Sequence, residues 1–537
     1  MVILSALDPA GDFPNRPQGP GLTLDESYNV EEGVRLSQGL QALAIGAISI
    51  RELFGVPQDL GPNAPLGYHN PDHPPLGRLM IGVSHDVAHA LDPPPDIQTP
   101  FAMVSARTGS ALAFAITVFL TGWMTARWYG HTAGLIAAVA LVLMPRLFGH
   151  AHIAALESSI NLAYAAAVFV VADRWTTTRG KPAVATTVSL KAATFAGVIF
   201  GLALLTKIQA ILIPIPLALW ALAHWRQRAL LPLLIWGTVA LAVFFALWPW
   251  LWLDPVAHLK EYFGRTTERL NIHVWYFGAR YADVDVPWHY PWVMFLTTVP
   301  VGLHALSVYA LVRGKGVWTD PRTQLLLACI VFPLLVFSLP GVAVYDGERL
   351  FSVVFVLWAV FVGRGGANAY HALKLRWSRA KASAILAVVL AAQAYGSFAM
   401  CPCFLSYYNL LVGGLPGASR VGLDVSYWRD SVTREFLESV VENIPRGGTV
   451  ILVPVLNEPE RLALVAQSPI LRRHQIQLVR WDQVAAKQRK YALVFRRNAD
   501  VPPVVDELLP EAKLLAEVRR QGVQLAALYE MRASDNQ

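Results

Sequence analysis

Residues 208–252 read IQAILIPIPLALWALAHWRQRALLPLLIWGTVALAVFFALWPWLW, two apolar runs separated by a short basic stretch that contains Arg226 and Arg228. A helix of about 20 predominantly apolar residues is long enough to cross a hydrocarbon core of about 30 Å. The pattern therefore predicts two membrane spans, 208–224 and 229–252, joined by a positively charged loop.

Similar apolar runs recur through the first 400 residues of this 537-residue chain. Hydrophobic residues make up 55% of the chain, and charged residues make up 15%, against roughly 25% in soluble domains. Three cysteines are too few for a disulfide framework. We predict a polytopic α-helical membrane protein with ten spans, at 102–126, 131–147, 152–172, 190–206, 208–224, 229–252, 291–312, 323–340, 349–363 and 383–402.

The loops between these spans alternate in charge. One set is dominated by Arg and Lys and contains only two acidic residues, Asp173 and Asp320, whereas the other set is balanced. The positive-inside rule assigns the basic set to the cytoplasm and both chain ends to the outer side of the membrane. On this topology we expect a further span before residue 1, which would make eleven. The net charge of +7 then reflects membrane orientation, and a nucleic-acid partner is not expected.

The chain divides into three parts. Residues 1–101 form the N-terminal end and a first extracytoplasmic loop, with amphipathic helices predicted near 26–50 and 78–91 and expected to lie in the membrane interface. Residues 102–403 form the multi-span part. Residues 404–537 are predicted to be a small extracytoplasmic α/β domain, with strands within 448–456, 490–497 and 523–531 and helices over 458–467 and 502–521.

An adjacent acidic pair, Asp25 and Glu26, stands in the stretch GLTLDESYN at 21–29. One interpretation is that the pair caps the helix that follows, since acidic residues are favoured at helix N-termini. The other is that one carboxylate is a general base, a role that contributes roughly 10²–10⁴-fold to a reaction rate.

An ordered set of motifs favours the second interpretation, although the two are not exclusive. The set comprises Asp25-Glu26, HPPL at 73–76, Arg107, MPRLFGHAHIAALES at 144–158, LLTK at 204–207, VPWHYPWVMF at 286–295 and YDGERLF at 345–351. It resembles glycosyltransferase family 39, the dolichyl-phosphate-mannose protein mannosyltransferases and their bacterial relatives in the GT-C superfamily. The resemblance covers most of the membrane part and leaves out residues 404–537.

The resemblance implies an inverting transfer of a sugar, with mannose as one candidate, from a polyprenyl-phosphate donor to an extracytoplasmic acceptor. The acceptor could be a protein, a lipid or a glycan. Asp25 matches the catalytic base of the family. Glu26 matches its acidic neighbour and is expected to be a second catalytic residue, which positions the acceptor or tunes the base. The donor phosphate or lipid is expected at Arg107, Lys207, Arg349 and Arg146, and the acceptor or substrate at His73, Glu157 and His289.

Each of these residues also has a structural interpretation. Arg107 could pair with Asp25 or Glu26 or lie at the membrane interface, and Glu157 could pair with Arg146. Lys207 and Arg349 could bind lipid headgroups. His73 could be a turn residue, and His289 lies among aromatic residues typical of a membrane border.

No cofactor is expected. His85 and His89 have the i, i+4 spacing of a metal-binding pair, with Asp86 between them, but no third ligand is evident in the sequence. Two other functions remain as alternatives, a transporter or flippase of lipid-linked sugars and a non-enzymatic membrane scaffold. A transporter is expected to carry ionisable residues near the bilayer midplane in paired halves, whereas these charges cluster at the outer membrane border.

Overall fold

The computed structural model describes residues 2–55, 72–96, 98–178, 181–182, 188–267, 272–314, 316–485 and 489–531. Most of the Pro/Gly-rich loop between the two predicted amphipathic helices, residues 56–71, lies outside this set. The protein is mostly helical, with a small sheet-containing domain at its C-terminal end, as the sequence predicts.

Five helical segments of the described residues are long and apolar enough to cross a membrane, and a bent pair makes a sixth. They are Met103–Tyr129, Leu156–Arg174, Ile208–Ala246, Val353–Lys374 and Arg379–Met400, with the pair Tyr290–Thr298 and Val301–Arg313 bent by 106°. Shorter apolar helices occupy His131–Val142, Leu190–Leu204 and Pro321–Val336. Every predicted span overlaps one of these elements, whereas the totals of ten or eleven crossings stay predictions.

The segment Ile208–Ala246 is 39 residues long, about twice what one crossing requires. It contains two α-helices, Pro214–Trp225 and Leu230–Ala246, joined by a short 3₁₀ turn. Arg226 in that turn has a φ of 50°, in the left-handed region that ends an α-helix. The break falls at the basic stretch that the sequence assigns to a loop.

Two amphipathic helices precede the first long apolar helix, at Glu26–Ala44 and Pro75–Leu91, with a short helix between them at Ile50–Phe54. The first ends six residues before the predicted boundary. The two longer helices cross where glycines face each other, and a Cβ added to Gly82 would lie 1.9 Å from the carbonyl oxygen of Gly33. This close approach sets the position of the first helix, and the acidic pair stands at the start of that helix.

Short elements cover the end of the bundle that carries these helices. The helices are Val2–Ser5, Pro145–His150, Trp250–Leu253, Pro255–Thr267 and Tyr395–Met400. Strands His273–Tyr276 and Ala279–Ala282 form an antiparallel hairpin at this end. A second short pair, Thr177–Thr178 with Lys181–Pro182, follows the far end of the helix Leu156–Arg174 and so lies at the opposite end of the bundle.

The C-terminal domain contains a five-stranded mixed sheet. Its strands lie in the order Gln477–Arg480, Thr449–Val453, Tyr491–Phe495, Val523–Glu530 and Lys513–Arg520. The first three strands are parallel to one another, and each of the last two is antiparallel to the strand before it in this order. Its helices are Gly414–Arg420, Arg434–Asn443, Glu458–Gln467, Pro469–Arg473 and Pro503–Leu508.

The predicted helix over 502–521 is wrong beyond Leu508. Residues Lys513–Arg520 are a strand that pairs with Val523–Glu530 across a two-residue turn, in which Gln521 and Gly522 have φ values of 48° and 81°. Two positive φ angles match the hairpin turn whose twist fits antiparallel strands. Pairing with Val523–Glu530 outweighs the helical propensity of residues 513–520. The strand Gln477–Arg480 was not predicted from the sequence.

The N-terminal strap, residues 7–22, lies between the membrane part and the C-terminal domain. Arg107 donates hydrogen bonds to the carbonyl oxygens of Leu7, Pro20 and Gly21 at 2.7–3.0 Å. From the other side, Arg429 Nε donates to the Leu22 carbonyl at 2.9 Å. The strap therefore ties the two parts together.

Candidate active site

A cavity of about 920 Å³ lies between the membrane part and the C-terminal domain. Its membrane-side wall includes Asp25, His73, Lys207, Asp346 and Arg349. The opposite wall comes from the C-terminal domain, with residues 454–457, Glu460, Phe495, Arg497 and Asp500. The cavity brings together residues that are more than 470 positions apart in the chain, from Asp25 to Asp500.

Asp25 directly precedes the helix Glu26–Ala44, but its side chain makes no capping hydrogen bond. The carboxylate instead forms an ion pair with the Arg349 guanidinium, and 34% of the side chain remains exposed, facing the cavity. Burial raises the pKa of Asp25, an effect that the nearby Arg349 charge partly offsets. The capping interpretation therefore does not describe this side chain, whereas a proton-accepting role is compatible with its position and its raised pKa.

His73 lines the same cavity and lies 3.9 Å from the Asp72 carboxylate, measured from Nε2 to Oδ2. Burial lowers its pKa to about 3, although the Asp72 charge acts in the opposite direction. His73 is therefore a neutral imidazole at physiological pH, suited to hydrogen bonding with a substrate.

The two cations on the membrane side are held by one buried carboxylate. Glu157 Oε1 accepts from Lys207 Nζ at 2.7 Å and from Arg349 Nε at 2.8 Å. Glu157 is fully buried and does not line the cavity. The expected pairing of Glu157 with Arg146 is wrong, because Glu157 pairs with Lys207 and Arg349 instead. The expected contact of Glu157 with substrate does not fit its position behind the cavity wall.

Three residues that sequence reasoning missed complete this cluster. Asp346 Oδ2 lies 3.1 Å from Arg349 Nη1 and accepts from Trp428 Nε1 at 3.1 Å, while its Oδ1 lies 3.3 Å from Arg497 Nη2. The Arg349 guanidinium also stacks over the Trp428 ring, 4.3 Å from its centroid. Asp346 stands within the quoted motif YDGERLF, and its φ of 53° marks it as an unusual non-glycine residue.

Glu26 and Arg107 form a separate, fully buried ion pair. Both oxygens of Glu26 accept from Arg107, each at 2.7 Å, and both residues have no exposed surface. Thr23 and Ala154 backbone N–H groups donate to the same carboxylate at 2.8 Å. Neither residue lines the cavity, so the expected phosphate-binding role of Arg107 and the acceptor-side role of Glu26 do not fit this geometry.

Arg146 is also buried away from the cavity. Its Nη1 donates to Glu348 Oε2 at 2.6 Å, its Nε donates to the Tyr407 carbonyl at 3.0 Å, and its guanidinium lies over the Tyr408 ring. It is 1% exposed, and it is not among the cavity-lining residues. The expected contact between Arg146 and the donor phosphate does not fit this placement.

The remaining histidines do not reach the cavity. His289 Nδ1 lies 2.6 Å from the Tyr276 hydroxyl, outside the cavity wall. His85 Nδ1 lies within hydrogen-bond distance of Asp86 Oδ1, at 3.0 Å, and His85 Nε2 accepts from the Ala102 backbone N–H at 3.0 Å. Both ring nitrogens are therefore occupied and not available to a metal. Within the described residues there is no cluster of three or more possible metal ligands.

The arrangement joins a carboxylate of raised pKa to two cations at one opening. The carboxylate can accept a proton, and Lys207 and Arg349 can bind an anionic oxygen. Charged groups that are already held in position stabilise the charge that develops during a reaction most effectively, because they need no rearrangement.

Comparison with known proteins agrees with the resemblance seen in the motifs. Residues 67–260 match the sequence model of a family described as dolichyl-phosphate-mannose-protein mannosyltransferase. The matched segment includes His73 and Lys207, and it confirms the family resemblance there, in support of a membrane glycosyltransferase. A search of curated proteins gives no match.

Solved structures of other proteins also match this chain, at low sequence identity. ArnT from Cupriavidus metallidurans, in the apo state and bound to undecaprenyl phosphate, is 13% identical with a TM-score of 0.48, over 99% of this chain and 96% of that chain. The archaeal oligosaccharyltransferase AglB from Archaeoglobus fulgidus, in complex with an inhibitory peptide and a dolichol-phosphate, is 12% identical with a TM-score of 0.44. That match covers 100% of this chain and 73% of the other.

Proposed function

We propose, from the family match of residues 67–260, that this protein is an integral membrane glycosyltransferase that uses a polyprenyl-phosphate sugar as donor. The observation that carries the proposal is the presence of Asp25, Lys207 and Arg349 on one cavity wall. Transfer to a hydroxyl acceptor needs a base for the acceptor proton and positive charge for the departing phosphate, and this wall supplies both.

The reaction proceeds by a single displacement with inversion. The Asp25 carboxylate takes the proton of the acceptor hydroxyl while the hydroxyl oxygen forms a bond to the anomeric carbon. The bond from that carbon to the phosphate oxygen breaks, and the electron pair leaves with the polyprenyl phosphate.

Lys207 and Arg349 stabilise the charge that develops on the departing phosphate. Glu157 holds both cations from below, at 2.7 and 2.8 Å, and so fixes their separation before substrate arrives. Arg349 pairs with Asp25 in the substrate-free protein. A donor phosphate that takes over Arg349 releases the Asp25 carboxylate for proton transfer, which couples donor binding to activation of the base.

Mannose is the candidate sugar that the family description supplies, and the cavity opens on the side that loop charges assign to the outer face of the membrane. His73 is placed to hydrogen-bond the acceptor or the donor phosphate as a neutral imidazole. The wall from the C-terminal domain faces these groups across the cavity.

The test is transfer from a labelled polyprenyl-phosphate sugar in membranes that contain the Asp25→Asn variant. We expect a loss of about 10²–10⁴-fold. Asp92→Asn is the matched control, because Asp92 has the same chemistry but pairs with Arg16 at an exposed site. Normal transfer by Asp25→Asn at matched expression would contradict the proposed base.

The alternatives give different results in the same material. A transporter or flippase moves the labelled lipid across sealed vesicles without forming a new glycosidic bond. A scaffold does neither, so detection of the bond itself distinguishes the enzyme from both.

A further inference from the structure

A second cavity, of about 600 Å³, lies at the opposite end of the helix bundle from the candidate active site. It opens where the helices Val301–Arg313 and Val353–Lys374 end. The second of these helices has 22 residues, a rise of about 33 Å, and begins just after Arg349. The lining residues are Tyr309, Arg313, Gly314, Arg364, Asn368, His371, Ala372, Lys374 and Leu375.

The charge of this wall is one-sided. Its basic side chains are Arg313, Arg364, His371 and Lys374, and no Asp or Glu is among the described residues that line it. Arg313 and His371 are exposed, while Lys374 is half-buried with its ammonium 5.4 Å from the Tyr370 ring. Basic side chains at helix C-termini also complement the helix dipole, but that effect does not require them to surround a cavity.

Arg364 forms the inner part of the pocket and is held in place. Its Nη1 donates to Thr323 Oγ1 at 2.9 Å and lies 3.4 Å from Asp320 Oδ2, and its guanidinium stacks 4.6 Å from the Tyr129 ring centroid. Asp320 faces Arg364 from outside the pocket wall. The pocket thus combines one fixed cation with more exposed basic side chains at its rim.

Exposed apolar side chains show the depth of this pocket in the membrane. Leu375 lines it and is 89% exposed, and Trp377 follows two residues later at 46%. Trp318, four residues after Gly314, is 61% exposed. Tryptophan concentrates at the level of lipid headgroups, so the pocket lies at that level on the side that carries the basic loops.

We propose that this pocket binds the phosphate of an anionic phospholipid headgroup. Four basic side chains around a concave surface at headgroup depth match the chemistry of a phosphodiester, and basic pockets between membrane helices bind such headgroups. The acyl chains would then extend along the exposed apolar surface of the bundle. This site is independent of sugar transfer, since it shares no residue with the first cavity.

The test is binding of phosphatidylglycerol to the full chain in neutral detergent, followed as adducts by native mass spectrometry. The double variant Arg313→Gln/Lys374→Gln removes two pocket charges, and Arg226→Gln/Arg228→Gln removes two exposed charges from another basic loop. We expect roughly fivefold weaker binding for each pocket charge removed and little change in the control.

Three outcomes would overturn the proposal. Equal losses in the two double variants would show that net charge alone attracts the lipid. Equal retention of phosphatidylcholine would show that the headgroup charge is not recognised. Displacement of phosphatidylglycerol by an equal concentration of inorganic phosphate would assign the pocket to free phosphate rather than to lipid.

Discussion

Glu26→Gln is the substitution that best separates a structural from a catalytic role at the acidic pair. The Glu26 carboxylate accepts two hydrogen bonds from Arg107 at 2.7 Å, and further bonds from the Thr23 backbone, the Thr23 hydroxyl and the Ala154 backbone. In the glutamine variant, the amide NH₂ group would face N–H or O–H groups that now donate to the carboxylate. The Arg107 charge would also remain buried without a negative partner.

The expected cost follows from the burial of the pair. Breaking a fully buried ion pair by removing one partner costs about 3–5 kcal/mol of unfolding free energy, because a buried charge is left uncompensated. Glu31→Gln, on the same helix, is the matched control. It removes the half-exposed pair of Glu31 with Arg35, which as an i, i+4 contact contributes only about 0.3–0.5 kcal/mol.

The assay is equilibrium unfolding in mixed micelles as the fraction of denaturing detergent is raised. We expect the Glu26→Gln midpoint to move far below that of Glu31→Gln. A Glu26→Gln protein as stable as Glu31→Gln but inactive in sugar transfer would refute the structural role and restore Glu26 as a catalytic partner of Asp25.

Three further predictions concern the base, the helix crossing and the link to the C-terminal domain. Because burial raises the pKa of Asp25, its ionised form accumulates only above the usual pH range of an aspartate, and kcat/KM for transfer should rise with pH through that raised pKa. His73, with a pKa of about 3, should add no further change of kcat/KM near neutral pH. A kcat/KM that does not fall as the pH is lowered would contradict this. Gly82→Leu should destabilise the protein by more than the roughly 1–3 kcal/mol of ordinary overpacking, because its Cβ would lie 1.9 Å from a backbone oxygen, and unfolding in mixed micelles measures the loss. Asp346→Asn weakens charged contacts to both Arg349 and Arg497, and should cost about 1.5–3 kcal/mol in the same assay; an unchanged midpoint would show that the contacts contribute little.

The positions of the membrane helices could be predicted from the sequence because they depend on local patterns, and Asp25 was singled out as a candidate base by its resemblance to one family. Apolar runs set the positions of the spans, and the spacing of Asp25 from the later motifs identified one family. Lys207 and Arg349 were expected at the outer membrane border as ligands of the donor phosphate, and the structure has both lining the same cavity as Asp25.

The partners of the buried charges could not be predicted in the same way. Glu26, Arg107 and Arg146 carry the residue types that bind phosphate or substrate, yet each forms an ion pair inside the protein, away from the cavity. Which cation meets which carboxylate depends on how helices from distant parts of the chain pack. The strand Lys513–Arg520 was missed for a related reason, since its conformation is set by pairing with Val523–Glu530.

The N-terminal strap has a consequence for how the protein unfolds. Carbonyl groups of residues 7–22 are bound on one side by Arg107 from the membrane part and on the other by Arg429 from the C-terminal domain. Further contacts from the C-terminal domain hold the strap, among them the pair of Arg434 with Asp8. Movement of the C-terminal domain away from the membrane part therefore requires the strap to detach from one of the two parts. Any motion that widens the cavity by separating the two parts would therefore also break hydrogen bonds to the strap.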